Sequence, residues 1–172
     1  MRLSLILLAG LALCTPVEAA ELDLVLVREC IGVQETGHLA EDRRDSAIGF
    51  NGRGKPRDRG RYQINEESAR FLTDHAVRYG LLPVWIRTVR NKWPTVFATL
   101  LHVKDINRAF ADTKLRFLAE RDIRSIRGLA FGFNGGQSAS VDKDHASWAY
   151  ATRVSACYTL EQFNRKRLYA AN

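Results

Sequence analysis

Glu35 stands at the end of a largely apolar run, in Gln34-Glu35-Thr36-Gly37. A carboxyl held in apolar surroundings stays protonated near neutral pH, because burial disfavours its charged form. It can hand a proton to a leaving oxygen and then take one back from a hydroxyl, serving as acid and base in turn. The groups such a site draws on lie downstream. Gly60, Tyr62 and Gln63 sit in Arg59-Gly60-Arg61-Tyr62-Gln63-Ile64-Asn65, Asn134 in Phe133-Asn134-Gly135-Gly136, and Tyr150 in Trp148-Ala149-Tyr150. Glycine lets backbone approach a ligand closely, and the two side-chain amides can both donate and accept. Plainer roles are open to each: a helix-end acid for Glu35, a turn-stabilising amide for Gln63, a helix cap for Asn134, a core tyrosine for Tyr150. Glu41 competes with Glu35 because it lies closer to Gly60 in sequence. Asp58 is a candidate second carboxylate, or a loop-capping aspartate. His38, His75, His102 and His145 show neither metal-ligand spacing nor a nucleophile partner. No phosphate loop or serine elbow occurs, so no metal or cofactor is expected.

These residues need elements to hold them. Leu22 to Gln34 carries apolar residues too densely and for too long to be a strand, and reads as a largely buried helix that delivers Glu35 to its end. Gly37 to Gly60 is polar and broken by Gly49, Gly52, Gly54 and Pro56, which reads as a long loop. Asn65 is the N-cap of a helix with Glu66 and Glu67 in its first turn, Ala69, Phe71, Leu72, Ala76 and Tyr79 inward, and a stop at Gly80. Pro83 and Pro94 open short helices. Asp105 to Glu120 and Ile123 to Phe131 are helical, the latter ended by Asn134-Gly135-Gly136, and a last helix spans Ser147 to Phe163. No strand alternation is found. The expected class is all-α.

A chain of 172 residues with 46% hydrophobic and 26% charged residues is long enough for one domain with a substantial core. Residues 1–19 read as a secretory signal peptide: Arg2 is basic, Leu3 to Leu13 apolar, and Val17-Glu18-Ala19 ends on small residues. That apolar stretch falls short of the roughly 20 residues of a membrane helix, so no membrane span is expected. Cys14 follows Leu13 rather than a small residue, which argues against a lipid anchor. Cys30 and Cys157 then remain, and one disulfide between them is expected in an exported chain, with two buried free thiols as the alternative. Cleavage removes one base and one acid and leaves the net charge at +7. The charge suits an anionic polymer. No zinc-finger, RNA-recognition or basic-zipper pattern is present, so nucleic acid is not the expected partner.

The motifs, taken in order, resemble a known family. Gln34-Glu35-Thr36-Gly37, then Ala47-Ile48-Gly49, then Gly60-Arg61-Tyr62-Gln63-Ile64 resembles the front half of the soluble lytic transglycosylases, which belong to the lysozyme-like superfamily. Their pattern is a catalytic Glu followed by Ser or Thr, a connecting loop, and Gly-Leu-Met-Gln-Ile. Phe133-Asn134-Gly135-Gly136 resembles their Tyr-Asn-Ala-Gly motif, Trp148 to Val154 their Tyr-x-x-x-Val segment, and Asn107 to Leu118 the intervening helix. The resemblance implies a lysozyme-like single domain over residues 20–172 with a long catalytic-side loop. It also implies an exported, periplasmic or secreted bacterial monomer that acts on peptidoglycan glycan strands. Glu35 would be the sole acid/base, cutting between N-acetylmuramic acid and N-acetylglucosamine and leaving a 1,6-anhydro end. Gly60, Tyr62, Gln63, Asn134 and Tyr150 would contact sugar or orient Glu35. Two departures stand out. The Glu35 to Gly60 interval is longer than the family's, and a shifted alignment would make Glu41 the acid. Phe133 replaces the family's tyrosine. Asp58-Arg59-Gly60 with Gln63-Ile64-Asn65 also resembles animal-type lysozymes, in which the aspartate is a second carboxylate and the reaction is hydrolysis. A wall-binding protein without catalysis is the remaining alternative. The basic run Arg53, Lys55, Arg57, Arg59, Arg61 could meet stem-peptide carboxylates, or form a solvated face.

Overall fold

The computed structural model describes residues 22–50, 53–136 and 146–170. The signal peptide over residues 1–19 and Cys14 lie outside the described residues. Asp23 caps the first helix, α1 (Leu24–Thr36), by accepting a hydrogen bond from the Leu26 amide at 3.0 Å. The helix buries Leu26, Val27, Cys30 and Ile31 as one stripe.

The polar stretch after α1 is not structureless. It holds a short helix, α2 (Glu41–Arg44), and a three-stranded antiparallel sheet of β1 (Ile48–Phe50), β2 (Pro56–Arg59) and β3 (Ile64–Asn65), in that order. The all-α expectation is corrected accordingly: the described residues are mainly helical with one small sheet. Register pairs Gly49 with Asp58 and Asp58 with Asn65. Only Ile64 among the strand residues is buried. The sheet is therefore held by its backbone ladder and turns rather than by an apolar face, and it leaves no alternation to read.

The Asn65 side chain accepts a hydrogen bond from the Ser68 amide at 2.7 Å and starts α3 (Glu66–Arg78). Ala69, Leu72, Thr73 and Ala76 form its inward stripe. Phe71 does not point inward as expected: it is 52% exposed and meets the Phe117 ring edge-on at 5.3 Å. Two residues past Ala69 is about 200° around a helix, which sets it off the stripe. Gly80, at φ 70°, ends the turn after α3.

Two short helices follow, α4 (Trp85–Lys92) and α5 (Pro94–Leu100), the second with proline at its start. The next helix, α6 (Lys104–Ala119), packs against α1, α3 and the following helix α7 (Ile126–Gly135). Ser125 caps α7, which buries Leu129 to Phe133 without a break. The last helix, α8 (Ala146–Ala170), lies on α1 and α7 through Tyr150, Ala151, Val154 and Tyr158. It runs past the expected end at Phe163, and residues 159–169 are all exposed. Cys30 of α1 and Cys157 of α8 form a disulfide with Cα atoms 5.7 Å apart. No helix among the described residues is long and apolar enough to cross a membrane.

Candidate active site

Where the sheet meets the helices there is a cleft of about 270 Å³. Its walls are Glu35 at the end of α1, Arg57 and Asp58 of β2, Gln63 and Asn65 around β3, Lys114 of α6, and Phe133 and Asn134 of α7. Residues scattered over a hundred positions of chain thus face one another.

The end of α1 is fixed by the residue after Glu35. Thr36 is buried, and its hydroxyl lies 3.1 Å from both the Gly32 and Arg61 carbonyls, which ties the helix end to the turn before β3. Burial is the largest influence on Glu35 and pushes its carboxyl up to about 7; Asp58 adds to the rise, while the Tyr150 hydroxyl and the Lys114 ammonium oppose it. Near neutral pH this carboxyl is therefore divided between acid and conjugate base, the condition for transferring a proton in both directions.

Tyr150 is 6% exposed, and its hydroxyl has no hydrogen bond of ordinary geometry. Burial and the neighbouring Glu35 carboxyl hold that hydroxyl firmly in its protonated form. A buried donor beside a carboxyl that can ionise, whose hydrogen bond to it favours the charged form, is placed to stabilise the ionised state when it forms.

The turn before β3 departs from two expectations. Gly60, at φ 72°, does not open space for a sugar: a Cβ there would lie 2.6 Å from the Asn107 amide nitrogen and 2.8 Å from the Leu101 carbonyl. Asn107, buried on α6, pins this turn. Its amide donates to the Arg59 and Leu101 carbonyls at 2.8 and 2.9 Å, and its oxygen accepts from the Tyr62 amide at 2.9 Å. Tyr62 is not in the cleft either. It is 2% exposed, with its ring packed beneath Gly32 and its hydroxyl 3.4 Å from Glu29. The turn directs residue 62 into the core, where an aromatic ring gains more from burial than from a wet cleft.

Gln63 takes the turn-stabilising role, and its side chain also faces the cleft. Its amide donates to the Gly60 carbonyl at 2.7 Å, and the side chain lines the cleft above Gly49, where a Cβ would strike it. Its φ of 47° lies in the left-handed region, strain that the turn and ladder must offset. Asn134 is exposed and accepts a hydrogen bond from the buried Ser147 hydroxyl at 2.8 Å, which fixes its amide at the cleft edge. It is not the cap, since α7 continues to Gly135 and Gly136 takes the turn at φ 85°.

Asp58 is half-buried in the cleft. Burial raises its carboxyl above the usual range, against the pull of Arg57 at 4.0 Å and of Lys114. Glu41 does not share this setting. It lies on the outer surface, paired with Arg61 and, at 3.0 Å, with Arg44, and these partners hold its carboxyl below the usual range. The basic run is divided in role: Arg57 reaches the cleft, Arg59 lies 3.3 Å from His102, and Arg61 braces α2 through Glu41 and Asp45.

Sequence reasoning missed Lys114 and Asn107. Both break the inward face of α6, Asn107 one turn before Phe110 and Lys114 one turn after it. A polar residue on an otherwise apolar stripe is the signal that could have found them. The Lys114 ammonium sits 4.6 Å from the centre of the Phe133 ring, and burial lowers its pKa to about 8 although Glu35 and Asp58 favour its charge. Comparison of the chain with known protein families, curated proteins and solved structures finds no match.

Proposed function

We propose that this protein is an exported lytic transglycosylase of lysozyme-like fold that cleaves peptidoglycan strands, with Glu35 as acid and then base. The observation that carries the reading is a carboxyl raised to about 7 in a cleft that also holds Gln63 and Asn134. The ordered resemblance to the soluble lytic transglycosylases supports it.

In the first step the Glu35 proton passes to the glycosidic oxygen, and the bond from muramic C1 to that oxygen breaks with positive charge developing on the sugar. The N-acetylglucosamine half leaves with its hydroxyl restored. Glu35 is now a carboxylate, stabilised by the Tyr150 hydroxyl and the Lys114 ammonium, both of which favour its ionised form. It then takes the proton from the muramic C6 hydroxyl as that oxygen closes on C1. The 1,6-anhydro ring forms without water, and Glu35 ends protonated, ready for another cycle. Asn134 is suited to grip an N-acetyl group through its fixed amide.

Asp58 supports a second reading. A carboxylate in the same cleft is what a retaining hydrolase uses at about 5–5.5 Å from its acid. Mass spectrometry of digested muropeptides separates the two: 1,6-anhydro ends for transglycosylation, reducing ends for hydrolysis. Glu35→Gln should lower the rate by at least about a thousandfold, in line with loss of an essential acid/base, and Glu41→Gln should leave most of it. The opposite pattern would move the acid to Glu41. A wild-type protein that binds wall but releases no cleaved ends, and whose behaviour Glu35→Gln leaves unchanged, would be a wall-binding protein without catalysis.

A further inference from the structure

The Lys114 ammonium is an unspent donor. It is half-buried on α6 one turn after Phe110, its head lies over the Phe133 ring, and no hydrogen bond or close ion pair ties it to a described residue. It opens on the cleft beside Glu35, Asp58 and Asn134. A lysine carries three donors and no acceptor, so what completes it is an oxygen of the substrate. The balance of charge narrows the choice. With Glu35 in its acid form, the charged groups lining the cleft are Lys114 and Arg57 against Asp58, which leaves one positive charge over. Anions are favoured there.

Depth narrows it further. Lys114 is half-buried and acts on the charge of Glu35, whereas Arg57 is exposed. A carboxylate on a flexible peptide would meet Arg57 first. One carried on a short arm from the sugar ring would reach the half-buried ammonium.

We infer that Lys114 binds the lactyl carboxylate of a muramic acid residue that carries no stem peptide, which makes the enzyme selective for peptide-free strands. The inference rests on the transglycosylase reading. It also couples binding to chemistry. Lys114 favours the ionised form of Glu35, so a bound carboxylate that offsets the ammonium strengthens the acid's hold on its proton in the substrate complex and leaves the Tyr150 hydroxyl as the main support of the carboxylate that forms. The groups facing this exchange are Glu35 from α1, Arg57 and Asp58 from β2, Phe133 and Asn134 from α7, and Tyr150 from α8.

The test compares kcat/KM of the purified protein, Lys114→Met and Lys114→Arg on three substrates. These are peptide-free strands with free lactyl carboxylates, the same strands with those groups converted to amides, and strands with intact stem peptides. The wild-type protein should prefer the carboxylate over the amide by about tenfold or more, the worth of one charge-assisted hydrogen bond. Lys114→Met should bring that ratio close to one, and Lys114→Arg should keep most of it. A ratio unchanged by Lys114→Met overturns the inference, as does a loss confined to peptide-bearing strands, which would make the stem peptide the source of the anion. A smaller folded fraction lowers every arm alike and cancels in the ratio, which reports the folded molecules only. A wild-type protein that cuts none of the strands overturns the transglycosylase reading itself, a result distinct from any of these.

Discussion

Replacing Glu35 with glutamine removes an ionisable group and keeps its shape, so the variant behaves as a permanently protonated Glu35. In the folded protein the carboxyl titrates at about 7 against an ordinary value of 4.5. The fold thus favours the acid form, and the stability this confers is complete below about pH 4.5 and is lost as the pH rises through 7. A difference of about 2.5 units at about 1.4 kcal/mol each makes the ionised state cost roughly 3 kcal/mol above pH 7. Glu35→Gln should match the wild-type protein near pH 4 and exceed it by roughly 3 kcal/mol near pH 8, with about 2 kcal/mol of that already present at pH 6. Urea unfolding followed by circular dichroism, disulfide intact, measures this directly. With an m-value of about 2 kcal/mol per molar, the two midpoints should separate by roughly 1.5 M at pH 8. Curves that coincide at both pH values, or differ equally at both, would refute the reasoning, since burial would then not be holding the proton on Glu35.

Two further outcomes follow from the scaffold. Replacing Cys30 and Cys157 together with alanine opens a loop with a separation of 127 residues and should cost about 5 kcal/mol on the chain-entropy account. Urea midpoints of the double variant and of the reduced wild-type protein should then agree, and a loss under about 1 kcal/mol would count against that account. Asn107→Ala strips three hydrogen bonds from the buried turn around Gly60 and should cost about 3 kcal/mol in the same assay. A change within about 0.5 kcal/mol would mean that water replaces the lost amide.

What could be read in advance depended on whether a residue's job left a pattern. The apolar run before Glu35 and the Asn65 cap followed by two glutamates have local signatures, and α1 and α3 stand close to where those signatures put them. The hairpin had none. Pro56-Arg57-Asp58-Arg59 has no apolar face, because β2 is held by its ladder to β1 and β3 and stays largely open to solvent. Tyr62 was assigned to the site by its neighbours in a motif, yet direction is a property of the turn, and the turn sends it inward. Lys114 went unseen for the converse reason: a lysine on a helix is ordinarily taken for a solvated charge. Only the company it keeps on α6, between Phe110 and Phe117, argued otherwise.

The disulfide has a consequence beyond stiffness. It joins the first described helix to the last, so the chain from Cys30 to Cys157 is a covalently closed ring. The exposed stretch at residues 53–57, which leads into β2, is the sort of segment that proteases cut. A single nick there, or anywhere else between the two cysteines, would break a peptide bond without releasing a fragment. The acid on one side of the cut and Asn134 and Tyr150 on the other would remain one molecule, and their reassembly would need no second encounter in solution.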